Sequence, residues 1–345
     1  MIYPSLGVPG RFSEACENLA RTLAAQSDGG ADFIHADTTH ELGSAMLACG
    51  QRGVVMVSRR PSTELIKSLI QNKRPFIISL EAYEQSVSAL INDHGVSLLD
   101  AVRQAASSGA ALVPLLRLEN GLVLRERLNS NTALTAKAIS QHFGFSAHSD
   151  VLALTEPTHS YQDLAKPIYH TTSNISPALF EIDLDELLPD LISGALSPIW
   201  HALEGADLGE VLWHRDLFLT ANTDGAEPVP AVIDVTGSAR CLIYGPYIHL
   251  PPGSWSCSLT MGFSSQSVGL KLVAEIATNT VLNKITFDVS EPGFFEIEFS
   301  CVIPDADYPV EIRIFNSQAA FEGHVALIQA RMKPLKAVRI PVTAV

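Results

Sequence analysis

The sequence predicts two domains of different fold class. The first is an α/β domain with a three-layer, mostly parallel sheet, and the second is an antiparallel, jelly-roll-like β-sandwich. Three observations lead to this prediction. The chain has 345 residues, a length typical of about two domains. Short apolar runs alternate with amphipathic helical stretches up to about residue 150. From Val229 onward, short strand-like runs are separated by proline and glycine turns.

Residues 1–150 read as strands that alternate with helices. Ser13 to Ala25 carries apolar residues at helical spacing. Ser62 is placed to cap the helix that follows the buried run Val54–Val57. Strands that alternate with helices form a sheet covered by helices on both faces. Further strands are expected at Phe76–Leu80 and Gly121–Leu124, and further helices at Glu84–Asn92, Ser97–Ser107 and Thr132–Phe143.

The rest of the chain divides into a connector and the sandwich. Residues 151–225 are rich in proline and acidic side chains, and we interpret them as a helical subdomain and connector. Residues 226–345 contain eight short runs with turn signals between them, a pattern typical of a sandwich or jelly roll. The expected strands are Ala231–Val235, Cys241–Tyr244, Trp255–Phe263, Leu270–Ala277, Lys284–Val289, Gly293–Cys301, Val310–Phe315 and Val325–Arg331.

Composition argues against several classes of function. The 37 acidic and 23 basic residues give a formal charge of -14, which repels a phosphate backbone, so no nucleic-acid partner is expected. No apolar run approaches the roughly 18 residues that cross a bilayer. Residues 1–10 show neither the basic nor the apolar part of a signal peptide, and we expect a soluble, cytoplasmic protein. The five cysteines are widely spaced and indicate buried thiols, without a disulfide framework or a metal site.

The opening segment Ser5-Leu-Gly-Val-Pro-Gly-Arg-Phe-Ser is a candidate anion-binding loop. A glycine-rich turn from a strand into a helix presents backbone N–H groups and the positive end of the helix dipole. The loop lacks the Gly-Lys-Ser/Thr ending of a Walker A motif. An ordinary turn is the alternative interpretation.

Over residues 1–145, the order of elements and three short segments resemble the sulfotransferase family. The segments are Gly7-Val-Pro-Gly-Arg-Phe-Ser, the run from Phe76 to Leu90, and Val123-Leu-Arg-Glu-Arg-Leu with the following helix that ends near Phe143. The resemblance implies an α/β fold that binds phosphoadenosine phosphosulfate. The residues that the resemblance implies to hold the donor phosphates are Gly7, Gly10, Arg11, Ser13 and Ser88. Arg59 is a further candidate, because it follows the run Val54–Val57 and ligands bind at the carboxyl ends of parallel strands; a solvated loop is the alternative.

The chain also departs from that family at the donor site. Leu80 stands where the family has a phosphate-binding arginine, and Phe12 replaces a glycine. Glu81 and Glu84 add negative charge beside any bound anion. We therefore expect no cofactor, and the sulfate donor only if the chain is an active transferase.

Two histidines lie between the first predicted helix and the predicted strand Val54–Val57. The segment Phe33-Ile-His-Ala-Asp-Thr-Thr-His-Glu brings His35 and His40 close to two carboxylates. Either imidazole is a candidate catalytic base for a sugar hydroxyl. Loop residues and a helix cap are the alternative interpretation.

The segment from Ile233 to Trp255 resembles the jelly-roll, carbohydrate-binding-like modules of bacterial glycan-processing proteins. The resemblance implies sugar binding, since aromatic faces stack on pyranose rings and nearby polar groups bind hydroxyls. Core packing of the same aromatics is the alternative. The candidate carbohydrate-binding residues are Arg240, Tyr247, His249 and Trp255.

Together these features predict a divergent sulfotransferase-like protein of bacterial surface-polysaccharide metabolism. It would bind a glycan or glycan precursor through its sandwich and lack standard sulfotransferase activity. An active transferase of sulfate or another group onto carbohydrate is one alternative. The other is a non-catalytic assembly module that forms a homo-oligomer through the sandwich.

Overall fold

A computed structural model describes residues 1–27, 31–49, 53–127, 131–145, 184–222 and 225–335. The chain divides into two units, Met1–Asp185 and Glu186–Val345. Most of the expected helical connector, residues 151–183, lies outside the described residues.

The first unit contains a five-stranded, fully parallel sheet in the order β2-β3-β1-β4-β5. The order in which the strands are added therefore reverses next to β1, and such sheets bind ligands in the crevice at the carboxyl ends of the strands. The strands are β1 (Ile2–Gly7), β2 (Ala31–His35), β3 (Gly53–Ser58), β4 (Phe76–Leu80) and β5 (Gly121–Arg125). The helices are α1 (Arg11–Ser27), α2 (Thr39–Ala48), α3 (Thr63–Gln71), α4 (Tyr83–Asn92), α5 (Leu98–Leu112) and α6 (Thr132–Phe143), and a 3₁₀ turn spans Val113–Arg117.

Both faces of this sheet are buried. On one face, α1 and α6 pack Phe12, Ile139 and Phe143 against Val55 and Val57. The other side chains of β3 are also fully buried, so a second helical layer covers the opposite face. The expected caps form: Ser62 accepts the Leu65 N–H at 3.3 Å, and Gly144 ends α6 with φ +73°.

The second unit is an antiparallel sandwich of two sheets. One has six strands in the order β13-β12-β15-β10-β7-β8, and the other has the order β14-β11-β16-β6 with β9 paired to β16. A helix, α7 (Leu184–Leu203), precedes them. The strands are β6 (Val211–His214), β7 (Leu219–Asn222), β8 (Gly225–Pro228), β9 (Ile233–Asp234), β10 (Arg240–Ile248), β11 (Gly253–Phe263), β12 (Lys271–Ala277), β13 (Val281–Asp288), β14 (Gly293–Ile303), β15 (Val310–Asn316) and β16 (His324–Pro334).

The predicted fold class is confirmed: a parallel α/β sheet covered by helices, followed by an antiparallel sandwich. Each of the eight expected sandwich strands overlaps an observed strand. The second unit begins at Glu186, however, whereas the sequence analysis placed its boundary near residue 225. The reason is that β6 and β7 already pair with β16 and β10, and they supply the fully buried Trp213 and Phe218.

Candidate functional site

The loop after β1 forms an anion-binding arrangement, and the chain's own carboxylate lies in it. The backbone N–H of Ser13, in the first turn of α1, donates to Glu81 Oε1 at 3.4 Å. Gly10 (φ +153°) lies so close that a Cβ there would collide with the Glu81 carboxylate. Glu81 is buried, which raises its pKa to about 8 although the backbone amides of Ser13 and Phe12 lower it. A side chain of the protein thus occupies a backbone N–H at the start of α1 that a bound anion would use.

The other residues implied as phosphate ligands make contacts with other parts of the protein. Arg11 donates to both carboxylate oxygens of Asp93, at 2.8 and 3.0 Å. Ser13 is fully buried, and its hydroxyl donates to the Ser79 carbonyl at 3.3 Å. Ser88 lies one turn before Asn92 on α4 and accepts from its side-chain amide at 3.0 Å. Gly7 is packed against Ser79 and Ser13.

Arg59 lies at the end of β3 and pairs with two carboxylates of α1. Its Nη2 is 3.2 Å from Glu14 Oε1 and 3.3 Å from Glu17 Oε2. Burial lowers the pKa of Arg59, and the two carboxylates more than offset that effect, so the net shift is upward. Burial raises the pKa of Glu17 against the opposing pull of Arg59. Arg59 therefore belongs to a partly buried charge network rather than to the β1 loop.

The structure separates the two candidate catalytic histidines. His35 is exposed at the end of β2 and lines two adjoining clefts of about 480 and 510 Å³. His40 lies in the first turn of α2, is exposed, and lines neither cleft. The nearby Glu41 caps that helix by accepting the N–H groups of Asp37 and Thr38, at 2.8 and 3.0 Å. The helix-cap interpretation therefore holds for Glu41.

In the sandwich, two of the four candidate sugar-binding residues lie away from any shared surface. Trp255 is fully buried, and its indole Nε1 donates to the Pro251 carbonyl at 3.1 Å. Its ring packs in the core, because a stacked sugar needs an aromatic face open to solvent. Arg240, at the start of β10, donates to the carbonyls of Thr236 and Asp234, at 2.8 and 2.7 Å. It stands about 23 Å along the strand from Tyr247, at about 3.3 Å per residue.

Tyr247 and His249 lie together at the other end of β10, and both are half-buried. The Tyr247 hydroxyl donates to Glu311 Oε1 at 2.8 Å, and His249 Nδ1 is 2.8 Å from the Ala306 carbonyl. Tyr247 has φ +64°, a left-handed conformation that is strained for a residue with a Cβ. The surrounding sheet and the hydrogen bond to Glu311 hold the Tyr247 side chain in this direction despite the strain.

A polar surface surrounds Tyr247 on the outer face of the six-stranded sheet. Tyr244 pairs with Arg313, and Arg313 with Glu275, so these side chains share one face. Their neighbours Ile312 and Ile314 are fully buried on the opposite face. We call Tyr244, Tyr247, Glu275, Glu311 and Arg313 the tyrosine face.

Within the tyrosine face, the two aromatic rings meet edge to face. Their centroids are 6.3 Å apart at an interplanar angle of 70°. Arg313 Nε donates to Glu311 Oε2 at 2.7 Å, while the Tyr247 hydroxyl occupies the other carboxylate oxygen. Burial and the hydrogen bond to Glu311 raise the pKa of Tyr247, so its hydroxyl stays protonated as a donor. The surface thus combines aromatic rings with a fixed array of donors and acceptors.

Comparison with known proteins finds no matching family model and no matching curated protein. Partial similarity to solved carbohydrate-binding modules is found. One is TmCBM61 in complex with β-1,4-galactotriose, at 7% identity and TM-score 0.26, covering 35% of this chain and 90% of that one. A second is the C-terminal family 6 module of a laminarinase from Zobellia galactanivorans, at 10% identity and TM-score 0.24, covering 36% and 98%. A third is a Cellvibrio mixtus lichenase module in complex with cellotriose, at 16% identity and TM-score 0.20, covering 38% and 91%. Similarity at this level does not establish a shared function.

Sequence reasoning missed part of the tyrosine face. Glu311 and Arg313 alternate with isoleucines in Val310-Glu-Ile-Arg-Ile, which already indicates that both point away from the core. Their placement beside Tyr247, 64 positions away in the chain, depends on the pairing of β10 with β15. Among the described residues, no group of three or more His, Cys, Asp or Glu side chains is arranged to hold a metal ion. Within the same residues, no helix combines the length and apolarity needed to span a membrane.

Proposed function

We propose that the protein binds glycan through the tyrosine face of its sandwich. The observation that carries the proposal is the half-exposed pair Tyr244 and Tyr247 beside the hydrogen-bonded Glu311 and Arg313. Saccharide sites combine an aromatic ring, which packs on the apolar face of a pyranose, with planar polar groups that bind hydroxyls. Both elements are present here on one rigid sheet, which reduces the entropy lost on binding.

The proposal includes a negative part, namely that the α/β unit is sulfotransferase-like without standard sulfotransferase activity. Glu81 supports it, because its carboxyl group occupies a backbone N–H at the amino end of α1 that a phosphate would need, and it does so whether or not it is ionised. Arg11 supports it too, since its guanidinium is paired with Asp93. Calorimetric titration with adenosine 3′,5′-bisphosphate should therefore show no binding at micromolar concentrations. Micromolar affinity would favour the active transferase instead.

The proposed setting is bacterial surface-polysaccharide metabolism, in the cytoplasm. The sequence resemblances suggest the setting. All five cysteines are free thiols, three of them buried, as is usual in a reducing compartment. The ligand would then be a glycan or a glycan precursor.

A glycan array with the full chain tests the sandwich site. Tyr244→Ala and Tyr247→Ala should each reduce retention at least tenfold, since each removes a stacking surface. Phe321→Ala is the matched control, because Phe321 is an aromatic residue that is 98% exposed in the same unit and outside the tyrosine face. An array without signal for the wild-type chain, or equal loss in all three variants, would refute glycan binding at this face.

A further inference from the structure

A second, independent ligand site is indicated in the α/β unit, at the carboxyl ends of β1, β2 and β3. Two adjoining clefts there share His35, Arg59 and His94. Their volumes, about 480 and 510 Å³, are in the range of small-molecule sites, which run from roughly 300 to 1,000 Å³. Open α/β sheets bind ligands at this edge. Pro9 of the β1 loop lines one of these clefts, whereas Glu81 lines neither of them.

Two side chains that line one of these clefts each have a buried polar atom without a partner among the described residues, namely Glu17 Oε1 and Arg59 Nε. Glu17 is only 4% exposed, and it lines the cleft together with Arg59. The Glu17–Arg59 ion pair uses Oε2 and Nη2, which leaves one acceptor and one donor of the same pair unsatisfied. Unsatisfied buried polar atoms are costly, so a ligand that satisfies both gains affinity.

The nature of these two atoms selects the ligand chemistry. A carboxylate oxygen requires a donor, and a guanidinium N–H requires an acceptor. An anion offers nothing to Glu17, and an ammonium group offers nothing to Arg59. A hydroxyl both donates and accepts, and a pair of neighbouring hydroxyls can contact both atoms at once.

The adjoining cleft, which shares His35, Arg59 and His94 with the cleft lined by Glu17, fits the same ligand. The Asp37 carboxylate accepts from the Ser58 hydroxyl at 2.6 Å and from the Arg60 N–H at 3.2 Å, so one of its oxygens is already used by the protein. His35, His94 and Gln104 are planar polar side chains that line the cleft, and such groups suit hydroxyls that point in several directions. Leu90 and Pro9 supply apolar wall.

We propose that the cleft lined by Glu17 and Arg59 binds the vicinal diol of a sugar ring, held between these two side chains. The diol is contributed either by a free or glycosidic pyranose or by the ribose of a nucleoside. The site is independent of the tyrosine face. The α/β unit thereby recognises a hydroxyl-rich ligand instead of a phosphate.

Ligand-observed NMR on the full-length Tyr247→Ala chain tests the proposal in the absence of the sandwich site. The probes are methyl glycosides of glucose, galactose and mannose, adenosine, and glucose 6-phosphate as the anionic arm. Saturation transfer to a methyl glycoside or to adenosine is expected, and it identifies the source of the diol. Transfer to none of them, or to glucose 6-phosphate alone, would overturn the proposal.

Substitutions then locate the binding. Glu17→Gln and Arg59→Lys should each weaken it roughly tenfold or more, because each alters one of the two contacts. Glu14→Gln is the matched control: Glu14 lies on the same helix and pairs with the same arginine, but its side chain is 46% exposed. It should weaken binding much less, and an equal loss in Glu14→Gln and Glu17→Gln would contradict the assignment.

A final measurement needs no change to either contact residue. In a Tyr247→Ala chain with labelled histidines, the ring signals of His35 and His94 should shift on saccharide addition, and the signal of His249 should not. His35→Gln and His94→Gln assign the signals. Shifts confined to His249 would place the ligand on the sandwich and overturn the cleft site.

Discussion

The carboxylate of Glu81 lies where a Cβ atom on Gly10 would have to stand, and it accepts the N–H of Ser13 at the start of α1. Gly10 is therefore needed for two reasons, its φ of +153° and the closeness of Glu81. The same glycine that makes the loop resemble a phosphate site allows an internal carboxylate to fill it.

Gly10→Ala should lower the free energy of unfolding by about 2 kcal/mol or more, through strain at positive φ and displacement of Glu81. In the Glu81→Ala background the collision is absent, so Gly10→Ala should cost less there. Chemical denaturation of the four chains of this double-mutant cycle measures the coupling. Additive effects would show that the two residues do not interact.

Glu81 should also make stability depend on pH. Its pKa of about 8 in the folded chain lies above its ordinary value of 4.5, so the folded state binds more protons between these values. The contribution of protonated Glu81 to the free energy of unfolding is complete below about pH 4.5, and it is lost as the pH rises through about 8. The total change is on the order of a few kcal/mol. Glu81→Gln, which cannot ionise, should remove this part of the pH dependence. Parallel stability curves for the two chains would contradict the prediction.

The backbone of Tyr247 offers a separate test of strain. Tyr247→Ala and Tyr247→Gly both remove the ring and its bond to Glu311, but only glycine adopts φ +64° without steric cost. The glycine variant should therefore be more stable than the alanine variant by about 1–2 kcal/mol. Thermal and denaturant unfolding of the two variants measures the difference. A less stable glycine variant would mean that the backbone is relaxed there.

The start of the sandwich can be tested by truncation. A chain of residues 186–345 should unfold cooperatively, since it retains β6, β7 and the buried Trp213 and Phe218. A chain of residues 226–345 loses both aromatic residues, each worth about 3–5 kcal/mol in a core, and should not fold stably. Circular dichroism melting distinguishes the two. Equal melting temperatures would indicate that the folded sandwich begins near residue 225.

Local patterns in the sequence were sufficient for the fold class and for most of the elements. Helical spacing with a capping Ser62 predicted α3, and period-2 alternation predicted β14 and β15. These signals reside within a few consecutive residues, so no knowledge of distant contacts is needed. The short strands β6 and β7 carry no such pattern, and for that reason the sequence placed the sandwich boundary late.

The sites depended on contacts that the sequence does not encode locally. Glu81 reaches Ser13 across 68 positions, and Tyr247 reaches Glu311 across 64. The sequence did place negative charge at Glu81, but only the pairing of β1 with β4 brings it to the helix end. Trp255 was a candidate sugar-binding residue, but it is fully buried. An aromatic residue in an alternating strand can face either the solvent or the core. Strand register decides between them, and register is set by the packing of the whole sandwich.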